Sequence, residues 1–157
     1  MDERAAWEEI LRRMIAAEAS DLHIAQHQCV QIRMDGVLVP ETFIPTPEFV
    51  ERLLETMLSD ELRARLRVST VDFSWTYAGR RFRGNAYHMR AGIGIALRLL
   101  PAHVPTPEEI GMPRALRALT EARDGLALLC GATGAGKTTT LASLIEVINR
   151  TQHVHII

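Results

Sequence analysis

The stretch Gly131-Ala-Thr-Gly-Ala-Gly-Lys-Thr138 spaces two glycines, a lysine and a hydroxyl residue in the pattern Gly-x4-Gly-Lys-Thr. The chemistry requires these types. Glycines let backbone N–H groups turn inward and approach an anion closely. A helix opening near Lys137 points the positive end of its dipole at the same anion. Lysine at this spacing reaches the β- and γ-phosphates of a nucleotide, and the next hydroxyl holds Mg2+. The expected cradle is therefore Gly131, Ala132, Thr133, Gly134, Ala135, Gly136, Lys137, Thr138 and Thr139, with ATP and Mg2+ as cofactors and Thr138 as the metal ligand.

Binding a nucleotide does not by itself hydrolyse it. Hydrolysis also needs an acidic residue that supports Mg2+ and a group that positions water. After Thr138 the sequence holds one acid, Glu146, placed about two turns along the following helix. It reads as a solvated helix residue, so the chain alone is not expected to turn over ATP. That leaves three function classes open: part of a larger ATPase, a non-catalytic assembly or nucleotide-sensing module, or a small-molecule P-loop kinase. The last is disfavoured, because such kinases begin near their phosphate loop and here 130 residues precede it.

Elements must position the loop. Gly125 to Cys130 is a continuous apolar run that predicts a strand buried on both faces. Leu141 to Ile148 predicts an apolar-rich helix, and Val154 to Ile157 the start of another strand. Upstream, Trp7, Ile10, Leu11, Met14 and Ile15 mark one face of a helix from about Glu3 to Ala19. Leu22 to Ile24 reads as a strand. Asp35-Gly36 between apolar runs predicts a hairpin. Thr46-Pro47 caps and opens a second helix, and a shorter one follows Ser59-Asp60. Phe73, Trp75 and Tyr77 alternate with polar residues. The chain then turns at Ala78-Gly79-Arg80, runs from Phe82 to Met89, and turns at Gly92 into Ile93 to Leu100. Pro101, Pro105, Pro107 and Gly111-Met-Pro113 mark a linker, within which Thr106-Pro-Glu-Glu109 has capping-box form and predicts a short helix. Arg114 to Ala122 is a further helix. The layout is an α+β domain over residues 1–100, a linker over 101–112, and the opening of a parallel α/β domain over 113–157.

Composition narrows the partners. Of 157 residues, 47% are hydrophobic and 24% charged, which supports a real core, and the net charge of -1 gives no bulk case for nucleic acid or an anionic membrane. The cluster Arg80-Arg81-Phe-Arg83 has little stacking surface beyond Phe82, so a nucleic-acid role is not favoured. Two distant cysteines make no disulfide framework, and Cys130 reads as a buried structural thiol. His23 with His27, and His153 with His155, lie in strand or turn patterns and are disfavoured as metal pairs. The first helix mixes Glu and Arg on its polar face, which favours docking on its own domain over a membrane. No apolar run approaches the roughly 20 residues that span a bilayer.

Ser20-Asp-Leu-His-Ile24, Arg33-Met-Asp-Gly36, Asp72-Phe-Ser-Trp75, Arg81-Phe-Arg-Gly-Asn-Ala86, Leu97-Arg-Leu-Leu-Pro101 and the loop with Thr138-Thr-Thr-Leu141 occur in one order. That series resembles the type II/IV secretion ATPases, and most closely the twitching-motility (retraction) ATPases of type IV pili. The resemblance implies a PAS-like N-terminal domain followed by an incomplete RecA-like ATPase domain. It implies a cytoplasmic homohexamer held at the inner membrane through a pilus or secretion platform protein. It also implies that Arg83 and Arg98 reach the nucleotide phosphates and act with Lys137 in catalysis, a role suited to arginine's permanently charged planar fork. The family loop usually reads Gly-Pro-Thr-Gly-Ser-Gly-Lys-Ser; Ala132, Ala135 and Thr138 depart from it without removing a required donor. The family's acidic box would follow His155-Ile-Ile157.

Overall fold

The computed structural model describes residues 2–157. The chain divides into two compact units, the first ending at Ala102 and the second running from His103 to Ile157.

The first unit opens with α1 (Glu3–Ala16), whose first turn is capped by the Asp2 carboxylate accepting from the Arg4 N–H. The helix stops three residues short of the expected end because Glu18 takes a left-handed φ of 47°, which no helix interior accepts. Strands β1 (Asp21–Ala25), β2 (Gln31–Met34) and β3 (Val37–Pro40) follow. Asp35 and Gly36 have φ of 49° and 81°, the paired positive values that close the β2–β3 hairpin. Next come α2 (Pro47–Met57) and α3 (Asp60–Leu66). Thr46 Oγ1 accepts from the Phe49 N–H, so the cap read from the sequence forms, and Ser59 Oγ caps α3 in the same way by accepting from the Leu62 N–H. Strands β4 (Val71–Tyr77), β5 (Arg80–Met89) and β6 (Gly92–Leu99) complete one sheet in the order β3-β2-β1-β6-β5-β4, with every neighbouring pair antiparallel.

Burial alternates along β1, β4 and most of β5. Leu22, Ile24, Ile32, Val71, Phe73, Phe82, Ala86, Ile95 and Leu97 join Trp7, Leu11 and Met14 of α1 and Val50, Leu53 and Leu54 of α2 in one buried cluster. The intervening residues face the other side of the sheet. There Asp21, His23, Arg33, Arg83, Asn85 and Arg98 remain exposed or half-buried. Period-2 patterning thus produces a unit with one oily and one polar face.

Gly84 lies on the oily face, where an added Cβ would sit 2.2 Å from Cζ of the buried Phe73 ring. Gly84→Ala is expected to destabilise this unit by about 1–3 kcal/mol through overpacking. A urea titration should show the loss, and Phe73→Leu in the same chain should recover part of it.

The second unit departs further from expectation. Thr106 and Glu109 form the reciprocal capping box, with Glu109 Oε2 accepting from the Thr106 N–H at 2.7 Å and Thr106 Oγ1 from the Glu109 N–H at 3.3 Å. No helix grows from it, because Gly111 turns left-handed at φ 63° and Pro113 follows. A short α4 (Arg114–Arg117) passes into a 3-10 turn at Ala118–Glu121. The expected strands at Gly125 to Cys130 and Val154 to Ile157 are not formed, since neither meets a ladder partner among the described residues. Leu126 is accordingly 84% exposed. Cys130 is exposed rather than buried for the same reason. Helix α5 (Lys137–Thr151) forms as read. No helix among the described residues is long and apolar enough to cross a membrane.

Candidate nucleotide site

Helix α5 begins at Lys137, directly after Gly136. Gly136 and Gly134 both have φ of 82°, a left-handed conformation that a side chain would strain. A Cβ added at either would meet nothing within 4 Å, so the loop is bent by its backbone and open above it. Gly131 is different: its added Cβ would stand 3.3 Å from Cβ of Ala135, across the loop. No side chain caps the first turn of α5. Its N–H groups and dipole are therefore available to an anion.

Lys137 closes the loop on itself. Its ammonium donates to the carbonyl oxygens of Gly131 at 3.0 Å and Ala132 at 2.7 Å. The cation is thus parked at the mouth of the loop. Thr138 and Thr139 are exposed in the first turn of α5. An ammonium, a hydroxyl and uncapped amides are the donor set that a phosphate chain with Mg2+ requires. Glu146 has a different use: it pairs with Arg150 at 2.6 Å, one turn along the same helix.

The first unit holds the arginines in a row across its polar face. Strand register sets Arg33 opposite Asp21, Asp21 opposite Arg98, and Arg98 opposite Arg83. Arg98 Nε donates to Asp21 Oδ1 at 2.9 Å, and Arg33 Nε lies 3.4 Å from Asp21 Oδ2. Arg83 has no side-chain partner among the described residues. Like charges directly opposite on one sheet face repel, and Asp21 pairs with two of the three guanidinium groups, leaving that of Arg83 without a carboxylate. Asp21, His23, Asp72, Arg83, Asn85 and Arg98 line a shallow depression of about 210 Å³ on this face. The row has the charge and the forked donors that a phosphate group fits.

Arg80 and Phe82 are not part of that face. Arg80 turns away, donating to both Glu18 carboxylate oxygens at 2.7 and 2.9 Å and to Leu100 O. Phe82 is fully buried. The run Arg80-Arg81-Phe82-Arg83 is therefore divided by the pleat into two faces. Among the described residues no group of three or more His, Cys, Asp or Glu is placed to hold a metal ion.

Sequence reasoning missed Asp21 and Arg33 as members of the row. The signal was present, because both lie in the segments Ser20 to Ile24 and Arg33 to Gly36, but their pairing is a matter of register. Burial pushes the Asp21 carboxyl up, yet hydrogen bonds from Arg98 and Ser20 and the Arg98 charge outweigh it and hold the group below its ordinary value. A folded-state value below the unfolded one adds stability that is present above the unfolded value and lost as pH falls through the folded value. Asp21→Asn is therefore expected to flatten the acid limb of a stability–pH profile below about pH 4, the unfolded carboxylate range.

The family profile described as "Type II/IV secretion system protein" matches residues 3–157. The chain is similar to the uncharacterized protein YggR of Escherichia coli K12, at 40% identity over 96% of this chain and 46% of that one. It is similar to the type IV pilus retraction ATPase PilT of Pseudomonas aeruginosa PAO1, at 36% identity over 88% of this chain and 41% of that one. A crystal structure of the pilus retraction motor PilT with bound ADP superposes with a TM-score of 0.84 at 36% identity, covering 94% of this chain and 44% of that one. The chain thus spans less than half the length of these relatives.

Proposed function

The chain belongs to the type II/IV secretion system protein family, and from that premise we propose that it is the nucleotide-binding front portion of a pilus-retraction motor ATPase. The carrying observation is the glycine loop that leads into an uncapped α5, with the Lys137 ammonium poised over its own carbonyls. In this reading the backbone of Gly131 to Thr139 cradles the phosphates of ATP. Lys137 exchanges its two carbonyl partners for phosphate oxygens, and the Thr138 hydroxyl holds Mg2+. Mg2+ held there would supply positive charge against the phosphate oxygens. Arg83 and Arg98 supply further positive charge to the phosphates. The ADP in the PilT crystal structure is the precedent for a nucleotide here.

The same reading makes the first unit PAS-like and the second the opening of a RecA-like ATPase domain. The working assembly is a homohexameric ring in the cytoplasm, held at the inner membrane by a pilus or secretion platform protein. The alternative is a non-catalytic assembly or nucleotide-sensing module, which would bind ATP without turnover.

Calorimetric titration of the full-length protein with ATP, with and without Mg2+, tests the proposal. Binding should tighten with Mg2+, and Thr138→Ala should remove that gain. Arg83→Ala combined with Arg98→Ala should weaken ATP binding by about 10-fold or more, the loss of one to two charged hydrogen bonds. ATP binding that is undetectable, or indifferent to Thr138, overturns the reading. Phosphate release from ATP separates the motor from the sensing module.

A further inference from the structure

Asp21 is the acid of the arginine row, and its side chain is only 15% exposed while that of Arg98 is 68% exposed. Its two oxygens are used differently. Oδ1 takes the Arg98 Nε–H at 2.9 Å, and Oδ2 accepts from Ser20 Oγ at 2.8 Å and faces Arg33 Nε at 3.4 Å. Arg33 is itself tied down, donating through Nη1 to Gly36 O at 2.9 Å across the β2–β3 turn. The carboxylate is thus held from its far side by β2 and by Ser20, and it holds Arg98 from its near side.

The choice of atom matters. A carboxylate that grips Arg98 by Nε fixes the plane of the guanidinium and leaves its two terminal amino groups without a hydrogen-bond partner among the described residues. Those groups form the fork that takes a phosphate in two parallel bonds. Arg83 stands opposite on β5 without a carboxylate of its own. A flexible arginine must be ordered when it binds, and an arginine ordered beforehand has already met that cost.

We propose that Asp21 is a positioning residue, anchored by Ser20 and Arg33, that presents the terminal nitrogens of Arg98 to a phosphate oxygen of the bound nucleotide. The proposal rests on the reading that Arg98 meets the nucleotide. Asp21 touches no phosphate and acts only through Arg98. The carboxylate also repels phosphate, but two guanidinium groups already neutralise it. Ordering is therefore its larger effect.

The test is a double-mutant cycle on the full-length protein, reading the affinity for MgATP by displacement of a fluorescent ATP analogue. Asp21→Asn is expected to weaken MgATP by about 3- to 10-fold. The loss should vanish when Arg98→Ala is already present. Asp21→Glu should recover part of it, since a carboxylate again faces Nε. Ser20→Ala should give a smaller loss that also disappears with Arg98→Ala, and this variant keeps the test open if Asp21→Asn does not fold. If Arg98→Ala leaves affinity unchanged, the reading of Arg98 fails and this proposal with it. If Arg98→Ala weakens binding while Asp21→Asn does not, or tightens it, or weakens it equally in the Arg98→Ala background, Asp21 alone is overturned and the nucleotide reading stands.

Discussion

Lys137→Ala is expected to weaken MgATP binding by about 10- to 100-fold, the equivalent of one or two charge-assisted hydrogen bonds. Two separate losses contribute. The ammonium is the cation of the loop, and no other Lys or Arg follows Gly131 before Arg150. It also ties the loop shut through the carbonyls of Gly131 and Ala132. Without it, Gly131 and Ala132 lose the side-chain brace that holds the loop in shape before a nucleotide arrives. Lys137→Arg separates the contributions: it keeps the charge but is too broad for two carbonyls closed over one ammonium, so binding should remain impaired. Equilibrium binding of a fluorescent ATP analogue measures both. Folding of the first unit should be untouched, since both tryptophans, Trp7 and Trp75, lie in it and report on it independently. Wild-type affinity in Lys137→Ala would remove the loop from the nucleotide site.

Phe82→Ala should produce the largest loss of stability, about 3–5 kcal/mol. Phe82 heads the fully buried side chains by volume. Its ring centroid lies 5.3 Å from that of Trp75, and its register neighbours are Trp75 on β4 and Leu99 on β6. Truncation therefore opens a cavity between β4, β5 and β6. Small domains are stable by about 5–15 kcal/mol, so the variant stands close to the folding threshold. Urea unfolding followed by tryptophan fluorescence reads the change directly, and Trp75 emission should shift even in the folded state. The neighbouring Arg83→Ala is the control. It points to the polar face and should change stability by no more than about 0.5 kcal/mol. Equal losses for the two would mean that the pleat assigned here is inverted.

Local signals carried most of what was legible. The Asp35-Gly36 hairpin, the Thr46 cap, the alternation of Phe73, Trp75 and Tyr77, and the glycine-lysine loop each depend on residues a few positions apart. Backbone conformation and short-range hydrogen bonds decide such features. The membership of the chain in a secretion ATPase family followed from the same short segments taken in order. Wherever the partner was distant, local reading failed. The apolar runs at Gly125 to Cys130 and Val154 to Ile157 have strand-like composition, yet no strand pairs with them among the described residues. A parallel strand takes its hydrogen bonds from residues far along the chain, and composition cannot supply them. Thr106 and Glu109 formed their capping box without a helix, because Gly111 and Pro113 ended the turn first.

The division is clearest at the arginines. The sequence by itself determined that Arg83 lies on a strand one residue beyond a core phenylalanine, and so on the face away from the core. It also determined the glycine spacing that bends Gly131 to Gly136 into a loop ahead of α5. Only the tertiary structure decided that Arg98, fifteen residues later, stands directly opposite Arg83, and that Asp21 and Arg33, from the other end of the unit, complete the row. The reason is register. A slip of one residue between β1 and β6 would turn Asp21 into the core and separate it from Arg98. What holds that register is the burial of Leu22, Ile24, Ile95 and Leu97 beneath α1 and α2, an effect of the whole core that no single segment specifies.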